Sequence, residues 1–168
     1  MRFLAIDLGD KRTGLAVADD RASPDLAAPL DVLEIPLARR DGVELIEALA
    51  RAAHDQLGAQ DAIVLGLPLN MDGSEGPRAK NARAFAARLE SRVKRTVFLF
   101  DERLTSVQAE WSLARSGFTH DQKKRRRDAI AAAALLRAFL LERQSQQERA
   151  RIEREVDGQA TMDRLSSP

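Results

Sequence analysis

The chain contains no cysteine. That excludes disulfides, thiolate nucleophiles and cysteine-ligated zinc together. Histidine is nearly as scarce: His54 and His120 are the whole supply, too few for a histidine-rich metal centre. No apolar run reaches membrane-spanning length, and no basic segment with an apolar stretch precedes the first strand pattern, so the expectation is a cytoplasmic protein with no membrane partner. Net charge is lacking as well, 27 Lys and Arg against 26 Asp and Glu leaving +1. Affinity for a polyanion must then come from a local cluster of cations rather than from the field of the whole molecule. What is present, 44% hydrophobic and 32% charged residues over 168, describes a globular domain with its own core and a heavily charged surface.

The apolar runs set the order of elements. Residues 2–7 and 12–18 are short apolar stretches separated by Gly9, Asp10 and Lys11, the grammar of a hairpin. A third strand is expected over Asp31–Ile35, between Pro29 and Pro36. Ile46, Leu49, Ala50, Ala53 and Leu57 recur at helical spacing before Gly58. Ala62–Leu67 is apolar at every position, as a strand covered on both faces would be, and runs into the loop PLNMDGSEG. Pro77 opens a helix with Ala82, Phe85 and Leu89 on one stripe, and a further strand over 96–100 ends in DERLTS. Thr105 and Gln108 have capping-box spacing for a helix reaching Ser116, and a last helix spans Asp121 to Arg143. The reading is an α/β fold with a mixed five-stranded sheet, three antiparallel strands first, flanked by helices. Residues 1–143 form the domain, and the charged segment 144–168, poor in aromatics, is expected to fray from a helix into disorder.

In open sheets of this kind sites gather beyond the carboxyl ends of central strands, where three sets of carboxylates are expected to converge. Asp7 ends the first strand; alone, it reads as well as a turn residue accepting backbone N–H bonds. Asp101 and Glu102 end another strand and alternate in direction, so one of the two faces any site there. Asp128 begins the stripe Asp128, Ala131, Ala132, Leu135, Phe139 on the last helix, where a carboxylate needs a partner: Lys124, Arg125 or a cation. An oxygen-only cluster suits Mg²⁺ or Mn²⁺, and two such ions about 4 Å apart support phosphodiester hydrolysis.

Lys123-Lys124-Arg125-Arg126-Arg127 directly precedes Asp128, so five cations would crowd the mouth of an anionic site and draw in a polyanionic backbone. Lys11 and Arg12 in the hairpin loop offer phosphate contacts. Arg78, Lys80, Arg83 and Arg103 would extend the track, each also readable as an ordinary surface charge. Asn70 either bonds substrate or closes its own turn. Trp111 and Phe118 could stack on a base, burial being the commoner use of an aromatic. The pattern Asp-x-Gly after a first strand also resembles the phosphate loop of actin-like ATPases and sugar kinases, which need a second large domain that this length does not provide.

The blocks DLGDKRTGLAVAD, IVLGLPLNMDGSEGPRA, VFLFDERLTS and RRRDAIAAAALL, in this order and spacing over residues 1–142, resemble the YqgF family, also called the RuvX or Holliday junction resolvase-like family. The resemblance implies an RNase H-like fold, Mg²⁺- or Mn²⁺-dependent nuclease activity, and a role in maturing the 5′ end of 16S ribosomal RNA. By it, Asp7, Glu102 and Asp128 are the catalytic, metal-binding carboxylates, with Asp101 the lesser candidate. It implies nucleic acid as partner, RNA ahead of branched DNA, with pre-ribosomal particles beyond that; monomer and homodimer stay open. Junction cleavage and a catalytically idle binding factor are the alternatives.

Overall fold

β1 (Arg2–Leu8) and β2 (Thr13–Asp19) form an antiparallel hairpin that sets Asp7 opposite Gly14 and Leu8 opposite Thr13. The loop between them is closed by Gly9 N–H donating to the Arg12 carbonyl at 3.1 Å. The structure, a computed structural model, describes residues 1–104 and 120–165, with side chains over 1–103 and 127–155. The helix expected from Thr105 to Ser116, together with Trp111 and Phe118, lies outside the described residues.

β3 (Ala28–Leu33) is displaced from the expected Asp31–Ile35 and runs through Pro29 instead of starting after it. The reason is its place at the sheet edge, where a residue without an N–H need not break a ladder. Pro29 faces Ala16 beside a register shift between Leu15 and Ala16, which absorbs the irregularity. α1 (Val43–Gln56), β4 (Ala62–Leu67), α2 (Pro77–Val93) and β5 (Val97–Asp101) follow the expected order. A single 3-10 turn, Glu102–Leu104, caps β5, and α3 (His120–Leu165) ends the described chain.

The sheet order is β3-β2-β1-β4-β5, with β1, β4 and β5 parallel and β2 antiparallel to both its neighbours. β4 is buried at every residue, as its uniform apolarity predicts. Alternation splits the core in two. Leu4, Ile6, Leu15, Ile63 and Leu65 face α1 and α2, meeting Leu45, Leu49, Phe85 and Leu89. Phe3, Ala5, Ala16, Val64 and Phe100 face α3, meeting Ala132, Leu135, Leu136, Phe139 and Leu140. Each large aliphatic so buried contributes roughly 1.5–3 kcal/mol. Phe3 and Phe139 meet edge-on at 5.2 Å between centroids, and the Arg143 guanidinium lies 5.5 Å from the Phe3 ring. Small residues bring α3 close to the sheet: a Cβ at Gly14 would stand 1.9 Å from the Asp128 carbonyl oxygen.

α3 does not stop at Arg143 but continues to Leu165. The segment read as a fraying tail is rich in Gln, Glu, Arg and Ala, all strong helix formers, and its polarity misleads because a solvated helix needs no apolar stripe. Arg151 bridges Glu148 at 2.9 Å and reaches Glu155 at 3.7 Å. Among the described residues no helix is long and apolar enough to cross a membrane.

Candidate active site

Because β1, β4 and β5 are parallel, their carboxyl ends open on one edge of the sheet, and that edge collects Asp7, the loop after Leu67, and Asp101-Glu102. Asp7 continues the Phe3, Ala5 alternation and so lies on the α3 side. Burial is the largest cause lifting its carboxyl to about 6, and the Asp128 charge adds to it. Glu102 is pushed up to about 7, first by burial and then by Asp7, with Arg78 pulling the other way. Asp7 is thus electrostatically coupled to both other carboxylates. Glu102 lies over Gly66 of β4: a Cβ there would come within 2.2 Å of its Oε1. A groove of about 260 Å³ opens beside the pair, lined by Asp7, Leu8, Asp10, Gly66, Arg78, Asn81 and Glu102 among others.

The structure separates Asp101 from Glu102. Asp101 accepts from the Arg103 backbone N–H at 3.0 Å and from its guanidinium at 2.6 Å, which holds its carboxyl below the usual range. Arg103 in turn donates to the Asn70 and Met71 carbonyls at 3.1 and 3.0 Å, so it staples the β4 loop to the end of β5 rather than reaching outward. Asn70 is also turned inward. Its Nδ2 donates to Ser74 Oγ at 2.9 Å, and its carbonyl accepts from Gly73 N–H at 2.9 Å. Of its two readings, closing its own turn is the one the contacts match.

Asp128 is three-quarters buried at the start of the apolar stripe of α3, and among the described residues it pairs with Arg12 of the hairpin, at 3.0 Å; the expected partners Lys124 and Arg125 have side chains outside the described residues. Arg78 lies in the groove, bonded to Asp10 at 3.1 Å. Lys11 is exposed at the hairpin tip, and Arg127 is exposed one residue before Asp128. Lys123, Lys124, Arg125 and Arg126 sit on the first turns of α3, their side chains outside the described residues. Arg83 is tied to Glu75. His54 is exposed on α1, beside Arg51 and Arg92 and apart from the groove.

Among the described residues no group of three or more His, Asp or Glu side chains is gathered so as to hold a metal ion. Asp128 is engaged with Arg12, so the three carboxylates stand as a coupled row and not as a closed cage. Their chemistry nonetheless fits a hard divalent cation: the donors are all oxygen, and two of them hold their protons unusually late because burial and mutual repulsion disfavour the charged forms. Two features escaped the reading of the sequence. Asp10 and Asn81 line the groove, and the glycine interrupting IVLGLP makes room for Glu102. The second had a signal, since a glycine inside an otherwise apolar central strand marks a close approach.

Sheet order and edge carboxylates define an RNase H-like α/β domain. Among solved structures, RuvC of Thermus thermophilus in complex with a Holliday junction substrate aligns with a TM-score of 0.51 at 14% identity, over 86% of this chain and 96% of that one. The chain belongs to the RuvX family: that family's model, described as Holliday junction resolvase, matches residues 1–142. It is therefore a member of a family of phosphodiester hydrolases. A protein of Anaeromyxobacter sp. (strain K) named "Putative pre-16S rRNA nuclease" is 44% identical over 140 residues, 83% of this chain and 96% of that protein. One of the same name from Pelotomaculum thermopropionicum is 39% identical over 140 residues, 83% of this chain and 86% of that protein.

Proposed function

We propose that this protein is a divalent-cation-dependent nuclease that cuts RNA in maturing the 5′ end of 16S ribosomal RNA, with pre-ribosomal particles as its partner and the cytoplasm as its compartment. The observation that carries the reading is the half-buried pair Asp7 and Glu102, raised to about 6 and about 7 beside an open groove at the carboxyl edge of the sheet. The names of the relatives supply the substrate.

Asp7, Glu102 and Asp128 would hold Mg²⁺ or Mn²⁺. When bound, the cation supplies a Lewis acid that stabilises charge developing on the phosphodiester. The chain's own residues do the rest. Arg12, already beside Asp128, exchanges that carboxylate for the phosphate. Lys11, Arg127 and the run Lys123 to Arg126 hold the flanking backbone, and Arg78 lies in the groove where a phosphate would pass. Asn70 and Arg103 act indirectly, by fixing the loop after β4.

Asp7→Asn is expected to abolish cleavage of precursor rRNA fragments while RNA binding persists, measured by gel assay and by anisotropy; cleavage at the wild-type rate overturns the reading. The description of the family model favours a second reading, hydrolysis of branched DNA. Parallel assays on precursor rRNA fragments and four-way junctions with the same protein and cation decide between the two.

A further inference from the structure

Beside the groove at Asp7 and Glu102 lies a larger pocket of about 470 Å³, between the loop that follows β3 and the outer face of α2. Leu37, Ala38 and Asp41 form one wall, and Asn81, Ala84, Phe85 and Arg88 the other. The two cavities are continuous, because Asp10, Leu37 and Asn81 line both. A strand laid across the carboxylates has a direct path into it.

We propose that this pocket takes one unpaired nucleotide next to the phosphodiester at the carboxylates, and selects a base bearing an exocyclic amino group. The proposal rests on the nuclease reading and adds a specificity subsite to it. The volume falls in the range of small-ligand sites. Leu37, Ala38, Ala84 and the edge of Phe85 give an apolar surface for the face of a base. The rim carries no surplus of positive charge to hold a second phosphate: Asp10 and Asp41 are both exposed and each has one arginine beside it, Arg78 and Arg88, and a carboxylate so placed still accepts from a hydrogen-bond donor. A carboxylate accepts from the amino groups of cytosine, adenine or guanine, whereas uracil offers two carbonyl acceptors and a single N–H.

The rim holds the backbone of Asp41 in place and leaves its carboxylate exposed. Arg40, Asp41 and Gly42 take left-handed conformations in succession, with φ of 49, 53 and 76°, a run that residues with a Cβ avoid. Arg88 secures it from α2, donating from Nη2 to the Asp41 carbonyl at 2.8 Å with Nη1 3.6 Å from the carboxylate. Strain held by a cross-element contact at a cavity mouth is the kind that marks a working surface. Asn81, exposed on the same helix one turn before Ala84 and Phe85, presents both a donor and an acceptor where the two cavities join.

The test uses short oligouridylates that carry one adenosine, cytidine or guanosine at successive positions. Binding is followed by anisotropy with the Asp7→Asn protein, and cleavage with the wild type. One position is expected to favour an amino-bearing base over uracil on the order of tenfold. Ala84→Trp, which fills the pocket from an exposed helix position, should erase that discrimination, and Asn81→Ala should weaken it. No position-specific preference in the parent protein, or a preference that survives both substitutions, overturns the proposal. If the wild type cuts no oligonucleotide but the Asp7→Asn protein keeps a preference that Ala84→Trp erases, the subsite stands and the nuclease reading fails.

Discussion

Gly66 lies directly beneath Glu102, so that a Cβ at 66 would stand 2.2 Å from Oε1 and 2.9 Å from Cδ of the carboxylate. Strand β4 gives up a side chain at that position so that a glutamate from the turn after β5 can fold over the sheet edge toward Asp7. The same device recurs at Gly14, where the missing Cβ admits the backbone of α3 and brings Asp128 to the hairpin. The two glycines differ in what they make room for, and that difference is measurable.

Gly66→Ala collides with the far end of a flexible side chain. The domain is expected to stay folded, with stability changed by no more than about 1 kcal/mol. Cleavage should fall roughly a hundredfold, because Glu102 is pushed off its seat. Urea denaturation and single-turnover cleavage, measured on one preparation, check both halves.

Gly14→Ala meets backbone: 1.9 Å from the Asp128 carbonyl oxygen and 2.8 Å from the Ala129 nitrogen. Neither α3 nor β2 can yield without dismantling the packing of Leu135, Leu136 and Phe139. The expected loss is about 3 kcal/mol or more, the upper range for overpacking, read as a shifted urea midpoint. A stable variant with a merely slowed reaction would contradict the close approach.

The pH dependence has a definite sign. Asp7 and Glu102 hold protons to about 6 and about 7 in the folded state, against roughly 4 when unfolded. The folded state binds more protons in that window, so the favourable contribution is complete below the unfolded values and is lost as pH rises through the folded ones. Protein kept in chelator is therefore expected to lose up to roughly 4 kcal/mol between about pH 5 and pH 8. Glu102→Gln should remove part of that slope, and saturating Mg²⁺ should flatten it by favouring the ionised forms. Denaturation midpoints across the range provide the measurement.

Replacing Lys123 to Arg127 with neutral residues should flatten the plot of log affinity against log salt, by about 0.7 for each single-strand phosphate that the run neutralises in the parent protein. An unchanged slope would make the run a solvated helix face.

The sequence made the topology readable because period and punctuation agreed: uniform apolarity over 62–67, helical spacing over 46–57, a proline opening α2. Two boundaries differ for physical reasons. Pro29 reads as a stop, but an edge strand tolerates it. The segment after Arg143 reads as a helical extension that frays, and the helix runs on to Leu165 because its charged residues are helix formers that pair along one rod. At the site, residue types were legible and partners were not. Nothing local to DERLTS reveals that Arg103 spends itself on Asp101 and the Asn70 carbonyl, and nothing near Asp128 announces Arg12, at the other end of the domain's sequence. Such pairings belong to the folded sheet edge, where distant segments first meet.

α3 carries Asp128 near its beginning and reaches Leu165 without a break, about 55 Å further along at the helical rise of 1.5 Å per residue. Its far half projects as a polar shaft whose twist and tilt are geared directly to the turn bearing that carboxylate. Because Leu135, Leu136 and Phe139 lock the same helix against the sheet, the shaft is anchored at its root, and its distal half extends from the carboxylate edge in a direction that the core itself sets.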